Sequence, residues 1–449
     1  MKTAYLIFII ALCLTVIGCS EDLVEEAIPN EEVVEQENPA PPEEEVEEEP
    51  KENPNPMGKI AGTVESFNKN LIDDNYVLVN DAGNNFVYLM DKNAKVLNQW
   101  NLNGGDLGND CFLLENGQLL AMVESDDPKL LLGGFGGKIE LLQNDGTVDW
   151  SFVHSTDDYI IHHDAEMLPN GNILIMTWER RTKEEAIENG YKLDVELFPD
   201  GLIEVNPNTD EIVWEWRVWD HIVQDHDESK ANFGAIETNP QLIDINYNQN
   251  DNGDITHANG IAYDAAKDVI YISANFYSEV WVIDHSTNTQ EARSHSGGNY
   301  GKGGDLIYRF GNPSAYKNPN GQRLFNNNHY PNLLEGEDIG KMLIFSNGAE
   351  LKQSTVYELQ LPNEFSVDIT KDNEPLVNWS FTDSELYSAK VSGAEKLPNG
   401  NVLITEGDYG IWEVTQEKEV VWKFNAEGFF WRAYHFNKDD PEILSLNLD

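Results

Sequence analysis

Short apolar runs punctuated by turn residues recur along the chain from about residue 75 onward, and no stretch of the body sustains the 3.6-residue period of an amphipathic helix. The best-formed unit is Glu166-Met167-Leu168-Pro169-Asn170-Gly171-Asn172-Ile173-Leu174-Ile175. It returns almost unchanged as Glu395-Lys396-Leu397-Pro398-Asn399-Gly400-Asn401-Val402-Leu403-Ile404, and partially as Phe112-Leu113-Leu114-Glu115-Asn116-Gly117-Gln118-Leu119-Leu120. Asn-Gly between two strand-like runs predicts a tight hairpin, because both residues tolerate positive φ. A closing strand follows in each copy: Val96–Trp100, Thr147–Trp150, Ile212–Trp216, Leu306–Phe310, Leu376–Trp379 and Val420–Trp422.

Six such closers at a spacing of about 45–60 residues point to a radial array of small antiparallel sheets rather than a sandwich. The fold class expected is all-β, a six-bladed β-propeller spanning residues 59–449, with blades near 75–105, 108–155, 163–220, 257–311, 329–382 and 393–426. Radial repetition also removes most of the exposed edges that one long sheet would offer for aggregation. A seventh blade is the competing count, since the inserts at 181–200 and 221–256 have room for further strands.

The N-terminal residues carry an address. Lys2 precedes an apolar run, Tyr5 to Ile17, of signal-peptide length, and Val16-Ile17-Gly18-Cys19 resembles a lipoprotein cleavage signal. Residues 1–18 are expected to be removed and Cys19 to carry lipid, anchoring the protein to the outer membrane on its periplasmic or cell-surface side. Ser20-Glu21-Asp22 is similar to signals that send lipoproteins outward. Residues 19–58, dense in Glu and Pro and without aromatics, read as a disordered acidic linker whose charges repel and extend it.

Charge and cysteine usage sharpen this picture. The formal net charge of -51 gives the long-range field the wrong sign for holding nucleic acid on a basic face. An anionic small molecule would have to be gripped by a local cluster of His, Arg and backbone N–H groups. With Cys13 in the signal and Cys19 lipidated, Cys111 is alone in the body, so no internal disulfide is possible; its apolar neighbours make it a buried small hydrophobe.

Histidines mark the blade starts. His162 and His163 open blade three, His257 opens blade four and His329 opens blade five. The first strand of each propeller blade lines the central channel, so rings from three remote segments are expected to meet at one channel mouth. The remaining histidines carry less. His221 and His226 stand on a polar insert whose His and Asp residues suit Zn²⁺, but no spacing fixes a site and a solvated loop is the plainer reading. His285 reads as a turn residue, His435 lies in the terminal segment, and His154 and His295 stand in no informative context. Asn248–Gly253 imitates a calcium loop, yet it has Asn at the first ligand position and Asn259 where the bidentate Glu belongs.

Several separate stretches, in order, resemble the bacterial arylsulfotransferase family. They are His162-His163-Asp164-Ala165-Glu166, Asp254-Ile255-Thr256-His257-Ala258-Asn259-Gly260, Gly304-Asp305-Leu306-Ile307-Tyr308-Arg309-Phe310-Gly311-Asn312-Pro313, Asn328-His329 through Ile344-Phe345-Ser346-Asn347-Gly348, and Trp431-Arg432-Ala433-Tyr434. The resemblance implies an exported six-bladed propeller that moves a sulfuryl group from a phenolic sulfate ester to a phenolic acceptor. It implies neither a nucleotide sulfate donor nor a cofactor or metal. By the same resemblance His329 is the nucleophile that forms a sulfohistidine, and His257 and His163 hold the sulfuryl oxygens and serve the leaving phenol. His162 is a further candidate for substrate binding.

The chain departs from the family pattern twice. Where the family carries an Arg after the His257 motif, this chain has Asn275, a neutral amide in place of a guanidinium. Arg309 and Arg432 are the candidates to compensate. After the nucleophile the chain reads Tyr330-Pro331 rather than Asp-Ala. Two other functions stay open: a non-catalytic surface binding propeller that kept the scaffold, and a quinone- or metal-dependent propeller enzyme using the histidine cluster as ligands.

Overall fold

The computed structural model describes residues 58–448 apart from 101, 103 and 104. The signal segment, Cys19 and the linker up to residue 57 lie outside the described residues. Among the described residues no helix is long and apolar enough to cross a membrane.

Six antiparallel sheets, five of four strands and one of five, form the body. Blades two to five each take their four strands in sequence order: Leu107–Val153, Tyr159–Arg217, Ala258–Phe310 and Asn328–Phe381. The inner strand of each packs beside the inner strands of its neighbours, and the series closes on itself through Phe430–Phe436. The structure is a six-bladed β-propeller. The insert after blade three adds only short helical turns and a two-stranded parallel ribbon, Ile222–Val223 with Ile243–Asp244, so no seventh blade exists among the described residues.

The closure of the ring departs from the sequence reading. Blade one has three strands of its own between Tyr76 and Trp100, and its inner strand is Phe430–Phe436 from the far end of the chain, paired antiparallel with Tyr76–Asp81. Blade six, Gly393–Asn425, receives a fifth outer strand, Thr63–Phe67, from the near end. Both exchanges satisfy backbone groups that would otherwise form open edges.

Local chemistry explains the hairpins, with one correction. The Asn-Gly turns are three-residue connections: Leu168 N–H donates to Asn172 O at 2.8 Å and Gly171 N–H to Leu168 O at 2.9 Å. Only Gly171 takes positive φ, at 83°. Asn170 contributes its side chain instead, Oδ1 accepting from Asn172 N–H at 2.9 Å. The turns at Asn116-Gly117 and Asn399-Gly400 repeat the pattern.

Apolar faces of adjacent sheets pack against each other. Trp100, Trp216 and Trp422 of the closing strands are buried in these seams, as is Cys111, whose thiol pKa burial pushes well up.

Candidate functional site

Five of the six inner strands carry a bulge at the same height, where extra residues oppose a single partner. Trp431 and Arg432 face Asn80, Gly108 to Asp110 face Met122, and His162 to Asp164 face Met176. Asn259 and Gly260 face Ser273, and Tyr330 and Pro331 face Ile344. A bulge bends its strand and re-aims side chains. Here the bulges and the residues just before them present His163, His257, His329 and Arg432 to the channel. The backbone is strained at these places: φ is 57° at His163, 46° at His257 and 55° at Tyr330.

Folding brings three predicted rings together. His163 and His257 meet edge to face, ring centres 4.8 Å apart. His329 joins through Asn275, whose backbone N–H reaches His257 O at 3.4 Å and whose side-chain Nδ2 stands 3.4 Å from His329 Nδ1. Aromatic walls complete the group: Phe276 stacks on His257 at 4.6 Å, and Trp178 and Trp431 each lie 5.5 Å from His163. A recess of about 310 Å³ opens beside them, lined by Phe276, Asn327 and the loop Asn248–Asn250.

The surroundings bias the three rings differently: His329 and His163 toward the neutral form, His257 toward the protonated one. Asn347 turns both N–H groups of its amide to carbonyls, Ser388 O at 3.0 Å and Val391 O at 3.1 Å, so its Oδ1 faces His329 Nδ1 at 2.6 Å. Nδ1 of His329 therefore carries the proton and Nε2 holds the lone pair, which accepts Val391 N–H at 3.1 Å. The approach of Asn275 Nδ2 to Nδ1 is then donor to donor; Asn275 is committed to Asn328 O at 3.0 Å. Burial lowers the His329 pKa to about 3, aided by the charges of His257 and Arg432 and opposed by the bond to Asn347.

His257 goes the other way. Burial pulls its pKa down, but the charge and hydrogen bond of Asp254 and the charge of Asp200 outweigh that, and the net shift is upward. Its Nδ1 lies 2.5 Å from Asp254 Oδ2, and Asp254 Oδ1 accepts the backbone N–H of His257 at 3.1 Å. His163 is held well below the ordinary value by burial and by the neighbouring His257, His162, His329 and Arg432. Its Nδ1 lies 2.8 Å from Nδ1 of His162.

The other candidates occupy different places. His162 is fully buried behind His163, with Nε2 3.0 Å from Asp200 Oδ1 and its ring stacked on Trp178 at 3.8 Å. That position supports His163 and keeps His162 from touching a ligand itself. Asn275 sits just past the strand Val269–Ala274, in a short helical turn against His329. Arg309 does not reach the channel, which corrects its assignment as a substrate ligand. It is buried in blade four, paired with both carboxylate oxygens of Glu279 and bonded to Pro240 O and Leu242 O.

Arg432 is in the channel but spent on carboxylates: Nη1 stands 2.6 Å from Asp110 Oδ2 and 3.1 Å from Asp164 Oδ1. Its guanidinium also lies 4.3 Å over the Tyr330 ring. This plug separates the histidine mouth from a cavity of about 800 Å³ at the C-terminal ends of the inner strands, lined by Glu166, Tyr263, Glu395 and Tyr434 among others. His163, His257 and His329 do not line that larger cavity, although His435 does.

Sequence reasoning missed Asp254, Asn347 and Val391 as parts of the site. Asp254 had a local signal, a carboxylate three residues before His257. Asn347 and Val391 reach His329 from elsewhere in the ring, and only folding places them.

Among solved structures, the chain is similar to a candidate 6-phosphogluconolactonase from Bacteroides uniformis: 11% identity, 81% of this chain and 85% of that one covered, TM-score 0.40. It is also similar to the Cps50 (Swd1) β-propeller domain of Myceliophteria thermophila: 10% identity, 85% and 95% covered, TM-score 0.34. At these scores neither decides fold or function. No curated protein matches the chain. The family model described as Arylsulfotransferase (ASST) matches residues 74–429, a span that holds all three channel histidines and every blade strand except Thr63–Phe67 and Phe430–Phe436, and the chain belongs to the arylsulfotransferase family.

Proposed function

We propose that the protein transfers a sulfuryl group between phenols through Nε2 of His329, with His257 as the proton donor to the leaving phenolate. The observation that carries this reading is the different hydrogen bonding of two rings that Asn275 links: Asn347 Oδ1 faces Nδ1 of His329 and leaves the lone pair on Nε2, while the carboxylate of Asp254 faces Nδ1 of His257. His329 is held neutral with its lone pair on Nε2, while His257 is biased toward the protonated form by Asp254. A nucleophile and an acid side by side at neutral pH are what a two-step displacement needs.

In the first step Nε2 attacks sulfur and the ester S–O bond breaks; the departing phenolate takes a proton from His257. Positive charge grows on the His329 ring, and Asn347 Oδ1 is already bonded to the N–H that bears it. In the second step an acceptor phenol returns a proton to His257 and its oxygen attacks sulfur, breaking the N–S bond. His163, beside His257 and held well below the ordinary imidazole value mainly by burial, stays neutral and is placed to hold a sulfuryl oxygen. Phe276, Trp178 and Trp431 suit the flat ring of an aryl ester. The signal-like segment ending at Cys19 and the acidic linker support anchoring by lipid to the outer membrane.

Val391 N–H already occupies the Nε2 lone pair, and this favours a second reading, a binding propeller without turnover. Incubation with 4-nitrophenyl sulfate and a phenol separates the two. Release of nitrophenolate that rises with acceptor and disappears in His329→Ala supports transfer. No release across a panel of aryl sulfates, with aryl sulfate binding retained by calorimetry, supports the binding propeller.

A further inference from the structure

Outside the channel, three side chains from the junction of blades three and four face one another. His221 ends the helical turn Val218–His221 that follows the outer strand of blade three. His295 and Asp305 stand between the third and fourth strands of blade four. Asp305 Oδ1 lies 2.8 Å from Nδ1 of His221 and 2.7 Å from Nδ1 of His295. The ligand atoms of the three residues all fall within 4.8 Å of one another.

The hydrogen bonds around His221 leave a cation-shaped problem. Its Nε2 is 2.8 Å from the carbonyl oxygen of Ala292. A carbonyl can only accept, so Nε2 carries the proton, and in the neutral ring Nδ1 holds a lone pair. That lone pair points at a carboxylate oxygen, acceptor against acceptor. Nδ1 of His295 converges on the same oxygen. A metal ion among the three groups turns the contact of His221 with Asp305 attractive, as would a proton on His221 Nδ1. A backbone carbonyl on the far nitrogen is also the usual way a ligating histidine is oriented.

The ring of His221 is held for this. Trp216 stacks parallel to it at 5.8 Å and donates its indole N–H to Gly304 O at 2.7 Å. The loop closes so tightly that a Cβ at Gly304 would stand 2.0 Å from Ala292 O and 2.5 Å from His221 Nε2. His221 and Asp305 are buried, while His295 is exposed and gives a path from solvent.

We propose that His221, His295 and Asp305 bind a divalent transition-metal cation of the Zn²⁺ class, tying the insert after blade three to blade four. Two imidazole nitrogens and one carboxylate oxygen are a donor set for such ions. Ligands at the tetrahedral angle, each about 2.0–2.1 Å from Zn²⁺, stand about 3.3 Å apart, a spacing between the 2.7 and 2.8 Å contacts of Asp305 and the 4.8 Å limit on the whole group. Remaining positions open to water past His295. The net charge of -51 raises the local concentration of any cation.

The test uses the whole chain, prepared without a polyhistidine tag and stripped with EDTA, titrated with Zn²⁺ against a chromophoric chelator. His295→Ala, Asp305→Asn and, as a control on the same insert, His226→Ala are run beside it. One saturable site per chain is expected, weakened at least about 10-fold by His295→Ala and by Asp305→Asn, and unaltered by His226→Ala. Co²⁺ in place of Zn²⁺ should give visible ligand-field bands that His295→Ala removes. Because His295 is exposed, its replacement leaves the metal-free melting temperature unchanged, which separates lost ligation from lost fold. Absence of a saturable site in the native chain, or binding that His295→Ala leaves intact, overturns the proposal.

Discussion

The backbone N–H of Val391 donates to Nε2 of His329 at 3.1 Å, so the nitrogen proposed to attack sulfur is capped by a main-chain donor. Val391 is β-branched and sits at φ 53°, followed by Ser392 at φ 86°. Such a conformation costs on the order of 1–3 kcal/mol for a non-glycine residue. The cap is therefore held in place by a strained segment, and an incoming sulfate ester would have to displace it. The freed N–H would then face the oxygens of the transferring group, where a fixed donor is most useful.

In the proposed transfer, Asn347 fixes which nitrogen of His329 attacks. Removing it in Asn347→Ala leaves Nδ1–H without its acceptor when charge develops on the ring, a loss of about 1.5–3 kcal/mol for a charge-assisted hydrogen bond. The expected result is a fall in kcat/KM of about 10- to 100-fold for aryl sulfate donors. ¹⁵N chemical shifts of the ring should show mixed tautomers in the variant and the Nδ1–H form alone in the native protein. A native spectrum with the proton on Nε2 would remove the basis for this assignment.

The pH profile should be broad and asymmetric. His329 loses its lone pair to a proton only near its pKa of about 3, so the acidic limb lies far below neutrality. In the proposed transfer His257 is the acid, and its pKa is raised, so activity should decline as pH climbs through that raised value, above the ordinary 6.5 of the imidazole. In Asp254→Asn the main charge that raises it is gone, and the alkaline decline should begin at least about one pH unit lower. An alkaline limb that does not move in this variant assigns the acid to another group.

Stability should fall with rising pH across the neutral range. Burial raises Glu166 to about 8, and the charge of Asp164 adds to it. The folded state therefore binds the proton more tightly than the unfolded chain, whose Glu titrates near about 4.3. Stability from this group is whole at low pH and is lost as pH rises from there through about 8. Urea midpoints measured between pH 5 and 8.5 should decline for the native protein and less steeply for Glu166→Gln, with Glu395 and Asp164, both raised to about 7, supplying the residual slope.

Arg432 should matter more to folding than to substrate affinity. It is buried between Asp110 and Asp164, and deleting one partner of a buried ion cluster costs about 3–5 kcal/mol. Arg432→Met should lower the unfolding free energy obtained from urea titration by about 3–5 kcal/mol, and Arg432→Met combined with Asp110→Asn and Asp164→Asn should recover part of it. A single variant as stable as the native protein would mean that solvent reaches the plug.

The blade pattern was open to reading because each blade is built from neighbouring residues, and hydrophobic spacing with Gly-bearing turns marks such units. The strand Phe430–Phe436 escaped because its partner Tyr76–Asp81 lies at the other end of the body, and long-range pairing leaves no local mark. The three histidines could be picked out by their shared position at blade starts. Ser346-Asn347-Gly348 stood within a stretch that resembles the family, but nothing in its spacing shows that the Asn347 amide bonds His329. Arg309 misled because sequence gives no hint of Glu279, the carboxylate that binds it in the core. The hairpin conformation was misjudged for a related reason: Asn170 works through its side chain, not its own φ.

Because the circle is fastened by pairing Phe430–Phe436 with Tyr76–Asp81, a chain emerging from a ribosome or a translocon can fold blades two to five while it waits, but cannot lock them. The fastening strand also carries Trp431 and Arg432, which flank the channel histidines. Assembly of the reactive centre is thereby postponed until synthesis is nearly done, and a prematurely terminated product would hold most of its blades yet lack a working centre.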